Sequence, residues 1–341
     1  MIRTAQLGLG YWGPNLLRNL IDLPAVEVVA VADPDDDRRE RWHSRYPGVE
    51  FSPSGEELIA RDDIEAVVIA TPAVTHYSLA RQALDLGKHV FVEKPLALTV
   101  AEGSELVETA GRRDAVLMVG HVFEYNAAVR TVHDLIAGGD LGDVYYINGQ
   151  RLNLGRVRQD VDALWNLAPH DLSIVNRWMG EDPVEVHAHG LYRLQKGIAD
   201  AVFLNLSYRD GRICHLHVSW LYPQKVRSMA VIGSRKMVVY DDTSPSAKVQ
   251  IYDKGIDRTD LSVDMGEYSS FGQFQLVTRA GDVHVPEIEF VEPLRTELED
   301  FVRAIETGHP PEADGASGLR VIRCLETASR SLLSGQPEKL T

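Results

Sequence analysis

Short, nearly continuous apolar runs alternate with amphipathic stretches through the first 120 or so residues. Ile2 to Leu7, Val26 to Ala32 (VEVVAVA), Ala66 to Ala70 (AVVIA), His89 to Val92 (HVFV) and Val116 to Val119 (VLMV) each predict a strand, several of them rich in β-branched residues. Between them Asn15 to Ile21 reads as a helix start, Arg38 to Arg45 as a charged helix, and His76–Leu86 and Val100–Ala110 as further helices. Strand, helix and strand repeated at this spacing imply right-handed crossovers and a doubly wound parallel sheet.

The grammar changes after about residue 121. Val144–Leu152, Glu185–Arg193, Ala201–Tyr208, Ile213–Val218, Val226–Ile232 and Met237–Tyr240 are closely spaced strand candidates. Arg209-Asp210-Gly211-Arg212 between two of them is a hairpin signal, so this half is expected to hold a large, mostly antiparallel open sheet. Helices are expected near residues 163–179, 293–306 and 316–334; in the last, Leu319, Ile322, Leu325 and Ala328 share one face. Asp257 to Arg279 is polar and carries no clear period. The expected fold is therefore α/β in two domains, 1–121 and 122–341, and the 341-residue length agrees with two units of about 150 residues.

Hydrophobic residues at 44% and charged residues at 25% exclude a disordered chain. No apolar run approaches the ~20 residues that span a bilayer, and the opening Met1–Gly8 is too soon broken to be a secretion signal, so a cytoplasmic protein is expected. Acidic residues exceed basic ones by 50 to 35, and a net charge of −15 argues against nucleic acid or an anionic membrane as partner. Cys214 and Cys324 are expected to be buried reduced thiols. Neither Cys-x-x-Cys nor His-Glu-x-x-His occurs, so no metal site is expected.

Gly8-Leu9-Gly10-Tyr11-Trp12-Gly13 stands directly after a predicted strand and before a predicted helix, the context in which G-x-G-x-x-G binds a dinucleotide. Gly8 permits the tight turn, Gly10 lets the backbone approach a pyrophosphate, and Gly13 lets helix and strand pack closely. Asp33 ends the second strand, 20 residues beyond Gly13, where a carboxylate accepts both ribose hydroxyls and repels a 2′-phosphate; NAD is thus expected over NADP. Arg38 and Arg39 nearby are expected on a solvated helix face. Ligands of open parallel sheets bind beyond the carboxyl ends of the strands. There the chain has Glu93-Lys94-Pro95, and an ammonium at Lys94 can hydrogen-bond a substrate hydroxyl. Thr71-Pro72 ends another strand and His76 opens the next helix. Further on, Asn166 and His170 fall four apart on one helical face, where an amide and an imidazole can address one hydroxyl.

Together GLGYWG, VADPD, IATPAVTH, VEKPLA, VGHVFEYN, NLAPHDLSIVNRWMG and PLRTELEDFVRAIETG resemble the glucose–fructose oxidoreductase / inositol dehydrogenase (Gfo/Idh/MocA) family over essentially the whole chain. The resemblance implies an N-terminal Rossmann domain, a C-terminal α/β domain whose open sheet packs in oligomers, and NAD(P)-dependent dehydrogenation of sugars, cyclitols or sugar nucleotides. By motif, Lys94 and His170 are the implied catalytic pair. Implied cofactor contacts are Gly8, Gly10, Tyr11, Trp12, Gly13, Asp33, Thr71, Pro72, His76, Glu93, Lys94 and His121. Implied substrate contacts are Lys94, Arg151, Trp165, Asn166 and His170. The family often has aspartate where this chain has Asn166, and an amide cannot take a proton, so His170 or Lys94 must be the base.

QRLNLGRVRQDVDALWNLAPHD is similar to a sugar-nucleotide-modifying subgroup, which implies 3-oxidation of a UDP-N-acetylhexosamine. Arg151, Arg156 and Arg158, with Lys225 and Arg227, are cationic candidates for its diphosphate. An inositol or free-sugar dehydrogenase, a ketoreductase of a keto sugar nucleotide, and a non-catalytic NAD(H)-binding regulator are the alternatives. A bare sheet face must be covered, so a homo-dimer or homo-tetramer is expected.

Overall fold

A computed structural model of the chain describes residues 1–155, 157–159, 161–256 and 278–340. They form two compact units, Met1–Asn126 with Val291–Glu326, and Ala127–Phe290 with Thr327–Thr341.

In the first unit, β1 (Ile2–Leu7), β2 (Val26–Ala32), β3 (Glu50–Ser52), β4 (Ala66–Ile69), β5 (His89–Glu93) and β6 (Leu117–Gly120) make a six-stranded sheet in the order β3-β2-β1-β4-β5-β6. Every neighbouring pair is parallel. Chain order reverses beside β1, which makes the β1/β4 boundary the switch point of a doubly wound fold. The crossovers are α1 (Gly13–Ile21), α2 (Asp36–Arg45), α3 (Gly55–Ile59), α4 (His76–Asp85) and α5 (Val100–Arg113). Side chains start several of them: Asp35 accepts from the Arg38 N–H, Ser54 from Glu57 and Thr99 from Glu102. The short β3 and α3 lacked a readable period.

The division of the chain differs from a cut after residue 121, because residues 291–326 return to the first unit. Later in the chain come α6 (Ala127–Ala137), α7 (Ala163–Met179), α8 (Pro293–Thr307) and α9 (Gly315–Ser334). Leu294, Leu298, Phe301 and Val302 of α8 join Leu16, Leu20, Phe91 and Met118 in one core, with Phe301 edge-on to Phe91 at 5.9 Å. Burying such side chains is worth roughly 1.5–3 kcal/mol each. The periodicity of α8 shows that it has an apolar stripe, and says nothing about which sheet that stripe covers.

The second unit holds a nine-stranded sheet built from β7 (Val144–Leu154), β8 (Glu185–Leu191), β9 (Ala201–Ser207), β10 (Ile213–Ser219), β11 (Leu221–Gly233), β12 (Met237–Asp241), β13 (Val249–Ile256), β14 (Thr278–His284) and β15 (Glu338–Lys339). Their order is β14-β13-β12-β11-β7-β10-β9-β8-β15, antiparallel throughout except for β7 with β10. Gly211, at φ 89°, turns the β9–β10 hairpin at the expected Asp-Gly. Residues 257–277, most of the polar segment without a period, lie outside the described residues. Asp162 caps α7 by accepting the Trp165 N–H at 2.9 Å, and Gly180 ends it at φ 73°.

Alternation along β7 sends Arg151 to the face covered by α7, where it is 6% exposed. Its Nε and Nη2 each donate to Asp171 of α7 at 2.8 Å. The expected loose cationic cluster is therefore not what Arg151 joins: its guanidinium is a buried, bidentate tie between sheet and helix. Arg156 lies outside the described residues, and Arg227 pairs with Asp242 at 3.2 Å. Cys214 and Cys324 are both buried.

Removing one partner of such a pair leaves a buried charge uncompensated. Asp171→Ala is expected to cost about 3–5 kcal/mol in urea unfolding. The double variant Arg151→Met/Asp171→Leu should recover most of that loss. Equal losses in both variants would show that the pair itself, and not the stranded charge, sets the stability.

Candidate active site

The turn from β1 into α1 is built by contacts that admit no side chain. Gly8 has φ +99°, and a Cβ on it would stand 2.5 Å from the carbonyl oxygen of Ala70. A Cβ on Gly13 would stand 2.2 Å from the Gly8 oxygen. Gly10 differs: nothing lies within 4 Å of the position its Cβ would take, so its backbone faces open space. The buried Gln6 amide, which sequence reading missed, clasps the turn by donating to the Gly8 and Gly13 carbonyls, both at 2.9 Å. Trp12 stands at the N-cap of α1 without a side-chain cap, and Pro14 opens the helix. Helix N–H groups without a capping side chain are a natural seat for an anion.

Asp33 is 3% exposed and holds the turn from the other side. Its Oδ2 accepts the Leu9 N–H at 2.7 Å and its Oδ1 accepts the Asp35 N–H at 3.0 Å. Arg38 and Arg39 are not simply on a solvated face. Arg38 Nη1 is 3.5 Å from Asp33 Oδ2, and Arg39 donates to the Asp33 carbonyl. Tyr11 is 95% exposed at the tip of the turn.

At the carboxyl end of β5, the half-buried Lys94 follows Glu93 and precedes a cis bond to Pro95. Glu93 accepts hydrogen bonds from Trp12 and, at 3.3 Å, from the Lys94 N–H. Its carboxyl lies over Gly120 of β6, where a Cβ would come within 3.0 Å of it. Burial pushes this carboxyl up to about 7 against the pull of the Lys94 charge. His121, next to Gly120, is 1% exposed, and neither ring nitrogen has a partner among the described residues. Burial and then Lys94 press its pKa down to about 3, so it is a neutral imidazole.

His76 is buried with Nδ1 at 2.7 Å from the Pro95 oxygen and Nε2 at 3.0 Å from the Thr71 oxygen. A neutral ring donates to only one carbonyl at a time, so His76 is hydrogen-bonded to one of these loops and packed against the other. The Thr71 hydroxyl meets that of Thr75 at 2.7 Å, and Pro72 is exposed.

In the second unit, Asn166 and His170 stand one turn apart on α7, both half-buried. Pro169 between them has no N–H for the Trp165 carbonyl. The Trp165 indole donates to Ser329 at 2.9 Å. Arg158 and Lys225 are exposed.

The first unit thus brings four features to the carboxyl ends of its parallel strands. These are an open backbone at Gly10, a helix start without a side-chain cap, a carboxylate at the second strand end and an unpartnered imidazole beside a lysine. The fold and this site define a nucleotide-binding oxidoreductase.

Residues 2–121 match "Oxidoreductase family, NAD-binding Rossmann fold", and residues 129–239 match "GFO/IDH/MocA C-terminal domain". The chain belongs to the Gfo/Idh/MocA family and is an NAD-binding oxidoreductase. It is 27% identical to a UDP-N-acetylglucosamine 3-dehydrogenase of Acidithiobacillus ferrooxidans, covering 94% of each chain. It is 22% identical to a myo-inositol 2-dehydrogenase of Thermotoga maritima, covering 99% of this chain and 98% of the other. The solved structure of the Acidithiobacillus ferrooxidans enzyme superposes with a TM-score of 0.82 at 24% identity, over 98% of both chains, which shows the shared fold. Among the described residues no helix is long and apolar enough to cross a membrane, and no group of three or more His, Cys, Asp or Glu could hold a metal ion.

One buried acid was missed. Glu297 of α8 is wholly buried, and neither oxygen has a partner among the described residues. Burial, then Glu93, Glu124 and Asp300, raise its pKa well above the ordinary value. A raised folded pKa means that the folded state keeps a proton that the unfolded chain loses. Stability from this group is complete below about pH 4.5 and declines by about 1.4 kcal/mol per pH unit up to the folded pKa. Glu297→Gln should therefore gain on the wild type as pH rises from 5 to 8, read as the difference in urea midpoints. A constant difference would contradict a retained proton.

Proposed function

We propose that the protein oxidises the 3-hydroxyl of a UDP-N-acetylhexosamine of the UDP-N-acetylglucosamine type to a ketone, with NAD rather than NADP as acceptor. The supporting observation for the substrate is the near-full-length relative that carries out this oxidation. Lys94 hydrogen-bonds the reacting hydroxyl and stabilises the developing alkoxide; His170 accepts the proton. Asn166, unable to take a proton, orients that hydroxyl, and Trp165 borders the sugar. NAD, when bound, accepts the hydride that leaves the carbinol carbon. Gly8, Gly10 and Gly13 shape its pyrophosphate seat, Asp33 takes the adenosine ribose, and Tyr11, Trp12, Thr71, Pro72, His76, Glu93 and His121 frame the rest. The enzyme works in the cytoplasm as a homo-dimer or homo-tetramer joined through the open sheet face.

A second reading has its own observation. Arg151 is committed to Asp171 and Arg227 to Asp242, which removes two cations from those available to a diphosphate. That favours an unphosphorylated cyclitol or sugar, the substrate class of the myo-inositol relative.

The two readings separate when NAD reduction is followed with UDP-N-acetylglucosamine, its uronic acid and myo-inositol in parallel. The first reading expects turnover with a nucleotide sugar alone; turnover with inositol alone replaces it with the second. Lys94→Ala is expected to lower kcat by about 10²–10⁴ while leaving NAD affinity within about threefold. Most of the activity surviving would remove Lys94 from the chemistry.

Cofactor choice is tested at Asp33. Asp33→Ser removes the ribose acceptor and releases Arg38 to face a 2′-phosphate. The ratio of kcat/KM for NAD to that for NADP should fall at least tenfold. An unchanged ratio would exclude Asp33 as the discriminating group.

A further inference from the structure

The nine-stranded sheet has one face beneath α7 and an opposite face of exposed and half-exposed side chains. On that opposite face the register sets His189 beside Phe203 and Phe203 beside His217. One row along, it sets His187 beside Asn205 and Asn205 beside His215. Residues two apart on a strand share a face, so the four imidazoles form one patch. The rings are in contact: His187 and His189 lie 4.3 Å apart by centroid, and His217 stacks on Phe203 at 4.2 Å. His215 Nδ1 is hydrogen-bonded to Asn205 Oδ1 at 2.9 Å.

Both rows run on through Asn148 and Ala230, and through Gln150 and Ser228, without a carboxylate, lysine or arginine. Full charges begin only at the margins, with Glu185 and Lys339 past the histidines of β8, and Asp241 beside Ser228. Tyr146 of β7 is a further titratable group on this face. In a chain of net charge −15, a face without charged side chains is where two copies meet with least local repulsion. Five strands at about 4.8 Å spacing, over about 20 Å of strand, give roughly 500 Å² before side-chain relief, the same order as the ~800 Å² per partner of a standard interface.

We propose that His187, His189, His215 and His217 make the joint through this face pH-gated: it forms while the imidazoles are neutral and releases as they protonate. The proposal rests on the homo-oligomer reading above and adds its regulation. A two-fold contact sets the same patch on both copies, so each protonated ring adds to a like-charged cluster. Burial already holds His215 and His217 below the ordinary imidazole value, with His215 adding to the effect on His217. Burial in a joint lowers them further, so the joined form binds fewer protons and association weakens as pH falls through the imidazole range.

The test is sedimentation velocity of the full chain at pH 7.5 and 5.5 at fixed ionic strength. The comparison is with Phe203→Asp and with the quadruple variant His187→Gln, His189→Gln, His215→Asn and His217→Asn, circular dichroism checking the fold. The wild type should associate at pH 7.5 with a Kd at least tenfold weaker at pH 5.5. The quadruple variant should lose that dependence, and Phe203→Asp should be monomeric at both values. Wild-type association that is equal at both pH values overturns the gate and leaves the oligomer reading intact. A monomer at both overturns the oligomer reading and the gate with it. Phe203→Asp associating like the wild type places the joint elsewhere. Equal pH dependence in the wild type and the quadruple variant assigns the gate to other groups and overturns it here. If the quadruple variant does not associate, calorimetric dilution of the wild type at pH 6.5 in two buffers of different ionisation enthalpy decides. Uptake of about one proton or more per copy on dissociation supports the gate, and uptake below about half a proton overturns it.

Discussion

The close approach of β1, its turn and α1 is the constraint on which the nucleotide site depends. With Gly8 against Ala70, Gly13 against Gly8 and the Gln6 amide bridging the turn, a side chain at either glycine would collide with backbone. This turn brings the start of α1 to the switch point of the sheet, and Asp33 fixes it by accepting the Leu9 N–H. The carboxylate at the end of β2 therefore holds the loop in place. Its acceptor atoms are partly spent before any cofactor arrives, and Arg38 stands at the same oxygen.

Desolvation sets the protonation of the groups gathered at the ends of β5 and β6. Glu93 is pushed up, His121 is pressed down, and Glu297 keeps its proton. Lys94 therefore stands beside a neutral imidazole and a carboxyl whose ionisation burial opposes. Trp12, at the glycine turn, also favours the charged form of Glu93.

In the second unit, strand alternation gives one sheet two characters. The covered face buries Arg151 against Asp171 and ties the sheet to the helix that carries Asn166 and His170. The other face is wide, uncharged across its middle and rich in imidazoles. A shift of a single residue in the β7 register would exchange the two, exposing the guanidinium and burying the amides.

Local pattern by itself determined the parallel sheet, the antiparallel sheet, the glycine turn and the strand-end lysine. Each of these rests on a short-range period or on spacing along one segment. Tertiary structure decided what depends on which surface meets which. The stripe of α8 was legible, but only packing returned it to the first unit. Arg151 was legible as a cation, but only the pleat and α7 turned it inward. His76 was legible as a helix-opening histidine, and its two carbonyl neighbours come from loops brought together by parallel pairing of β4 and β5. Glu297 and the imidazole patch were invisible for the same reason. A buried acid and a row across strands are defined by neighbours distant in the chain, and such proximity has no signature in any one stretch of sequence.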